Sequence, residues 1–258
     1  MSLYDDIRSP KNSFRPDIIG GIVTGIVKEN YNKDNPGKIR VELFLGEDGR
    51  NVTGWIPVMA PYGGSEHGSY TLPEVGAEVV VAFNMGDRNR PVVIGCLWSE
   101  KNKLPANAAT EKNTTKTFVT KGGSEITFDD TEDKQKITVK TKQGRAFEIN
   151  EEKQSIELFD KDNKNSIGID SKNGVITLSA DKKIEFKVGG SEAGTIDGSG
   201  KKISFKSTTV ELSADNDLKL KGQNSSLEGT AVKVNATSSL EASSSGTTQV
   251  KGTMVKIN

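Results

Sequence analysis

Two hydrophobic rhythms divide the chain. Up to about residue 100, short β-branched runs alternate with dense turn signals. Ile18 to Val27 is such a run, broken by Gly20, Gly21 and Gly25, and Asn32-Lys33-Asp34-Asn35-Pro36-Gly37 is a turn cluster. Lys38 to Leu45 alternates with period two, as a half-buried strand does. Glu47-Asp48-Gly49 reads as a second turn, and Val52 to Met59, Glu78 to Phe83 and Pro91 to Trp98 supply further strands. Five or six short strands with glycine-rich turns in roughly 80 residues predict a small closed barrel.

Beyond residue 105 the rhythm becomes a quasi-repeat. Short alternating segments recur about every eight to ten residues: Glu125–Phe128, Lys136–Val139, Ala146–Ile149, Ser155–Leu158, Ser166–Ile169, Val175–Leu178, Lys183–Phe186 and Lys202–Phe205. Thr209–Leu212, Asp217–Leu220, Val232–Val234 and Met254–Ile257 extend the series. Such a pattern predicts a β-solenoid or fibrous array. Each segment offers only about two inward apolar side chains, too few for one chain to build a thick core; several chains sharing one axis can build it. Outward Lys, Glu, Ser, Thr and Asp discourage edge pairing, and no proline interrupts the series. Toward the end the apolar positions thin to Leu227, Ala231, Leu240, Ala242 and Val250, which predicts a narrowing shaft. The competing reading of 221–250 is a Ser/Thr-rich disordered tail.

Composition sharpens the boundary. All 8 prolines lie at or before Pro105, every tyrosine and tryptophan lies at or before Trp98, and the last aromatic is Phe205. The expected organisation is an extension over 1–17, a barrel over 18–100, a connector over 101–120 and a shaft over 121–258. Hydrophobic residues are 33% of the chain and mean hydropathy is −0.52, low for a self-contained globular protein. The 35 basic and 35 acidic residues cancel, so there is no global pull toward nucleic acid or an anionic membrane. No apolar stretch approaches the ~18 residues of a membrane span, and no secretory signal opens the chain. Synthesis in the cytoplasm without a signal peptide is therefore expected.

The inventory for chemistry is thin. The single histidine, His67, lies in the Gly63–Gly68 loop, and the single cysteine, Cys96, lies in an apolar run and reads as a small buried hydrophobe. This leaves no intrachain disulfide, no zinc cluster and no histidine-based triad with a plausible setting. Asp129-Asp130 and Glu151-Glu152 are adjacent carboxylates, which on a strand point to opposite faces and do not converge as glycoside hydrolysis requires. No Gly-Lys-Ser/Thr follows Gly20-Gly21 or Gly63-Gly64, so neither is a phosphate loop. Arg88 and Arg90 with Trp55, Tyr62 and Tyr70 could form a nucleic-acid groove, but Glu74, Glu78 and Asp87 offset the charge and Trp55 reads as core. The expectation is no enzyme, no metal, no cofactor and no nucleic-acid partner.

Four segments carry a resemblance. They are Gly37-Lys38-Ile39-Arg40-Val41; Gly54-Trp55-Ile56-Pro57-Val58 with Ala60-Pro61-Tyr62-Gly63-Gly64; Leu72-Pro73-Glu74-Val75-Gly76 through Phe83; and Gly86-Asp87-Arg88-Asn89-Arg90-Pro91 through Gly95. In this order the region resembles the OB-fold domain of VgrG spike proteins and phage baseplate assembly protein V. Gly122-Gly123-Ser124-Glu125-Ile126-Thr127-Phe128-Asp129-Asp130-Thr131 is similar to the start of that family's β-helical shaft.

The resemblance implies an all-β homotrimer, with an N-terminal OB-fold barrel followed by an intertwined β-helix, a triangular prism. It implies a mechanical role: the barrel seats on a baseplate hub, and the shaft carries contraction force to a PAAR-type tip protein, meeting the target membrane only on puncture. Assembly would be in the baseplate of a virion or phage-tail-like particle. VgrG proteins usually place large hub domains ahead of the barrel. Here only about 17 residues do so, which resembles short phage-type spikes whose hub is a separate polypeptide, with 1–17 contacting it. Some short spikes close their tip with iron held by a His-x-His motif, which His67 cannot supply. Met254-Val255-Lys256-Ile257-Asn258 is then expected to be a blunt platform that binds the tip protein. The alternatives are a trimeric glycan-binding tail fibre or adhesin, a depolymerising tailspike with a carboxylate pair facing one shaft groove, and an OB-fold nucleic-acid-binding module.

Overall fold

The structure is a computed structural model that describes residues 18–45 and 51–257. The extension over 1–17, the Glu47–Gly49 turn and Asn258 lie outside the described residues. The described chain is all-β apart from one short helical turn at Asn84–Gly86. It divides into two units, one running to residue 185 and including 195–203, the other comprising 186–194 and 204–258.

The first unit begins with seven short strands: β1 (Ile22–Glu29), β2 (Lys38–Leu43), β3 (Ile56–Pro57), β4 (Gly63–Gly64), β5 (His67–Gly68), β6 (Glu78–Phe83) and β7 (Pro91–Cys96). Five of them form an antiparallel sheet in the order β3-β2-β1-β6-β7. Residues just after β3 close it into a barrel: Val58 bridges Val93 in parallel, and the Met59 N–H donates to the Val93 carbonyl at 2.8 Å. Set apart from it, β4 and β5 pair as a small hairpin. The cyclic order is that of an OB-fold.

Period-two alternation sends Val27, Ile39, Val41, Ile56, Val79, Val81, Phe83 and Val93 into one core. Burying each such side chain contributes about 1.5–3 kcal/mol. The layer is so tight that a Cβ on Gly25 would sit 2.5 Å from the Glu42 carbonyl oxygen and 2.7 Å from Val41 Cγ1.

Two expectations for the barrel are corrected. Cys96 is exposed, not buried. A bulge pairs Val80 with Gly95 but Val81 with Val93, so Ile94 is an extra residue and the end of β7 leaves the core. Trp55 is half-buried just outside β3, and its neighbour Ile56 is the core residue instead.

Seven more strands follow in the same unit: β8 (Thr115–Val119), β9 (Glu125–Asp129), β10 (Lys136–Lys140), β11 (Ala146–Asn150), β12 (Ser155–Phe159), β13 (Ser166–Asp170) and β14 (Val175–Ser179). They form one antiparallel meander in sequence order. β8 falls inside the stretch read as connector, because Thr115-Lys116-Thr117-Phe118-Val119 carries little alternation. Its turns are tight: the Gly123 N–H donates to Thr120 O and the Gly144 N–H to Thr141 O, both at 2.9 Å. Asx-type bonds supply others, such as Lys164 N–H to Asp160 Oδ1 and Asn173 N–H to Asp170 Oδ1.

Three further strands, β15 (Lys183–Val188), β16 (Ser191–Asp197) and β17 (Lys202–Phe205), are each divided between the two units. β16 gave no clear signal, since Ala193 and Ile196 are its apolar residues. In the second unit no residue from 206 to 257 is in a strand. The segments Thr209–Leu212, Asp217–Leu220, Val232–Val234 and Met254–Ile257 are thus not strands within one chain. A strand exists only against a neighbour, and these short segments find no strand partner among the described residues.

Candidate assembly surface

The meander's register decides what each face presents. Successive pairings align Phe118, Ile126, Val139, Phe147, Leu158, Ile167 and Leu178 in one row across the sheet. Phe128, Ile137, Ile149, Ile156, Ile169 and Ile176 form a second row on the same face. Between them, on the opposite face, runs Thr117, Thr127, Thr138, Glu148, Glu157, Gly168 and Thr177.

Burial is inverted relative to an isolated soluble sheet. The polar face is mostly half-buried by its own side chains, whereas Leu158, Ile167 and Leu178 stand about half exposed, at 52%, 47% and 53%. An apolar trough of about 820 Å³ runs over this face, with Phe118, Phe147 and Leu158 among its walls. Continuous exposed apolar surface on this scale is an interaction surface rather than scattered surface residues.

The polar face is laced together. Thr117 and Thr127 hydroxyls lie 2.8 Å apart, Lys140 Nζ meets Glu125 at 2.9 Å, and Lys136 Nζ lies 3.9 Å from Glu148. Asn150 Nδ2 donates to Glu148 at 3.1 Å. Glu157 lies directly opposite Glu148, and both line a groove of about 670 Å³ beside the side-chain gap at Gly168. The sequence names only adjacent carboxylates, and the groove-facing pair that the tailspike alternative requires could not be assigned from it because cross-strand register sets this pair. Glu148 is held by a lysine and an amide.

The turn carboxylates are held below the usual carboxylate range. Asp129 accepts from the Thr131 hydroxyl at 2.6 Å and from its N–H at 3.1 Å. Asp160 accepts from the Asn165 amide at 2.6 Å, and Asp170 from the Asn173 amide at 2.7 Å. A hydrogen bond from Lys134 to Glu152, at 2.8 Å, raises the lysine's pKa. Partial burial of the sulfur pushes the Cys96 thiol up even though the residue is exposed.

The remaining candidates are scattered. Met254, Val255, Lys256 and Ile257 are exposed in the second unit. His67 is exposed in the β4–β5 hairpin, where its Nδ1 lies 2.8 Å from Ser65 O and its ring lies 5.6 Å from that of Tyr62. Arg88, Arg90 and Trp55 are brought together beside one barrel groove, while Tyr62 and Tyr70 do not line it. Among the described residues no group of three or more His, Cys, Asp or Glu is placed to hold a metal ion, and no helix is long and apolar enough to cross a membrane.

Comparison with known proteins places the barrel. Residues 23–98 match the family described as the type VI secretion system/phage-baseplate injector OB domain. Similar proteins include three type VI secretion system spike proteins of Pseudomonas aeruginosa. VgrG5 is 36% identical over 104 residues, 38% of this chain and 13% of that protein. VgrG4b is 28% identical over 145 residues, 51% of this chain and 18% of that protein. VgrG1a is 28% identical over 155 residues, 57% of this chain and 23% of that protein. The chain thus spans less than a quarter of the length of these relatives. The similarity to type VI secretion spike proteins and to the phage-baseplate injector domain thus centres on the OB domain at residues 23–98.

Proposed function

We propose that this chain is the non-enzymatic central spike of a contractile, phage-tail-like injection system, acting as a homotrimer. The observation that carries the reading is the apolar face of the β8–β14 meander, which one chain leaves open to water. Three copies closing their apolar faces around one axis would turn those rows into a shared core. The second unit supports the same reading: Val210, Leu212, Leu218, Leu220, Val232 and Val234 are all exposed, on segments that pair with no strand among the described residues. Pairing between chains would satisfy both needs at once.

In this reading the barrel seats on a hub protein and the shaft carries contraction force to a PAAR-type tip protein held on Met254, Val255, Lys256 and Ile257, with Asn258. Chains wound together separate only when many hydrogen bonds break together, so resistance to load is set by an unfolding rate. The target membrane is met only during puncture.

Light scattering on the purified protein tests the reading. One chain is 27.8 kDa, so a trimer is about 83 kDa. A trimer that survives unboiled SDS electrophoresis is expected. A monomer at micromolar concentration would overturn the proposal. Deleting residues 251–258 should keep the trimer and abolish capture of a PAAR-type protein; undiminished capture would refute the platform.

A further inference from the structure

The barrel carries a groove lined by its own residues alone. β1 fixes its position. At one end of the barrel, Ile22 at the start of β1 pairs with Ala82, and the Ile19 N–H donates to Gly86 O at 2.9 Å. At the other end Val27 O accepts from the Gly76 N–H, and neighbouring Glu74 meets Lys121 at 3.2 Å. A groove of about 670 Å³ opens at the end away from Lys121, lined by Ile19, Trp55, Phe83, Arg88 and Arg90 among others.

Two arginine side chains dominate its rim, with Asp87 just before them in sequence and on the same turn. Arg88 and Arg90 are exposed, and among the described residues neither has a carboxylate partner or a side-chain hydrogen bond. The nearby Asp87 carboxylate instead accepts the Asn89 N–H at 2.9 Å, fixing the turn that carries both arginines. Half-buried Trp55 gives the groove an apolar wall, and Met85 stands 94% exposed on the same turn.

We propose that this groove docks an acidic segment of a separate polypeptide, with an apolar side chain set against Trp55 and carboxylates on the two guanidinium forks. Planar guanidinium groups match carboxylates with two parallel bonds, and Arg and Trp are the residues that most often dominate an interface. A nucleic-acid strand fits less well: two cations on one short turn do not track a phosphate backbone, and half-buried Trp55 offers one indole where successive bases would need several stacking platforms. The surface lies within one barrel, so the assignment goes beyond the spike reading and stands without it.

The test uses the full chain carrying Trp98→Phe, which leaves Trp55 as the one tryptophan of the two in the sequence. The probes are a synthetic peptide alternating Asp and Glu with Leu and Phe, the same peptide with Lys at the acidic positions, and an oligothymidylate of about twelve nucleotides. The acidic peptide should change Trp55 emission saturably and bind more weakly as salt rises. Arg88→Glu with Arg90→Glu should weaken it at least about tenfold and transfer binding to the basic peptide. Arg88→Gln with Arg90→Gln, which adds no new charge, should also weaken the acidic peptide. Equal binding of both peptides, unchanged affinity in the variants, or binding of oligothymidylate alone would overturn the proposal.

Discussion

Phe147 on β11 and Leu158 on β12 stand directly opposite each other, on a face where both are exposed in the single chain. Side chains so paired contribute when a partner covers them and cost when left in water. Leu158→Asp should therefore break assembly and leave the barrel folded. Light scattering should move from about 83 kDa toward 27.8 kDa, while the circular dichroism of the barrel strands persists. A trimer unchanged by the substitution would mean that another surface holds the chains together.

Gly25 tests the barrel itself. It needs no left-handed backbone; its constraint is the 2.5 Å approach of β2 to the place a Cβ would occupy. The nearest obstacle is the Glu42 carbonyl, part of the β1–β2 ladder, so it cannot rotate away as a side chain could. Gly25→Ala should cost about 1–3 kcal/mol and lower the barrel's melting temperature by roughly 4–8 °C per kcal/mol. Calorimetry that finds no shift would show that the strands part without cost.

The sequence made some of this legible because some of it is local. Glu78–Phe83 is a strand wherever it is placed, since its β-branched run admits little else, and the shaft segments from Glu125 to Leu178 appear as β9 to β14 within a residue or two. Register is not local. The bulge at Ile94 that exposes Cys96, and the pairing that sets Glu148 against Glu157, both depend on which residue of one strand meets which of the next. The segments from Thr209 onward alternate like strands and yet pair with no strand among the described residues, because alternation records a face to bury and not what covers it.

Glu157 is a consequence of register that can be measured. Like charges directly opposite on adjacent strands destabilise a sheet, and Lys136 and Asn150 are gathered around Glu148 rather than Glu157. Glu157→Gln keeps the shape and removes the repulsion. It should stabilise the sheet by about 0.2–1 kcal/mol, seen as a higher urea midpoint with an unchanged slope. A lower midpoint would mean that the Glu157 carboxylate has a favourable partner in the assembled protein.

Asp129, Asp160 and Asp170 predict the response to acid. Each carboxyl titrates below its ordinary 3.8, first because of a side-chain hydrogen bond from Thr131, Asn165 and Asn173 respectively. A group whose folded pKa lies below its unfolded value stabilises the fold fully above the unfolded pKa, and that contribution is lost as pH falls through the folded one. These three turns should add no pH dependence from neutrality down toward 3.8, and should weaken progressively below it. Replacing all three by Asn preserves turn geometry and removes the titration. The wild type should be the more stable protein at pH 7, and the difference should close by about pH 2. Thermal unfolding of both proteins across this range checks the sign. A gap that stays constant would show that the turns depend on shape alone, and one that widens in acid would mean that the three carboxyls are better held protonated than ionised.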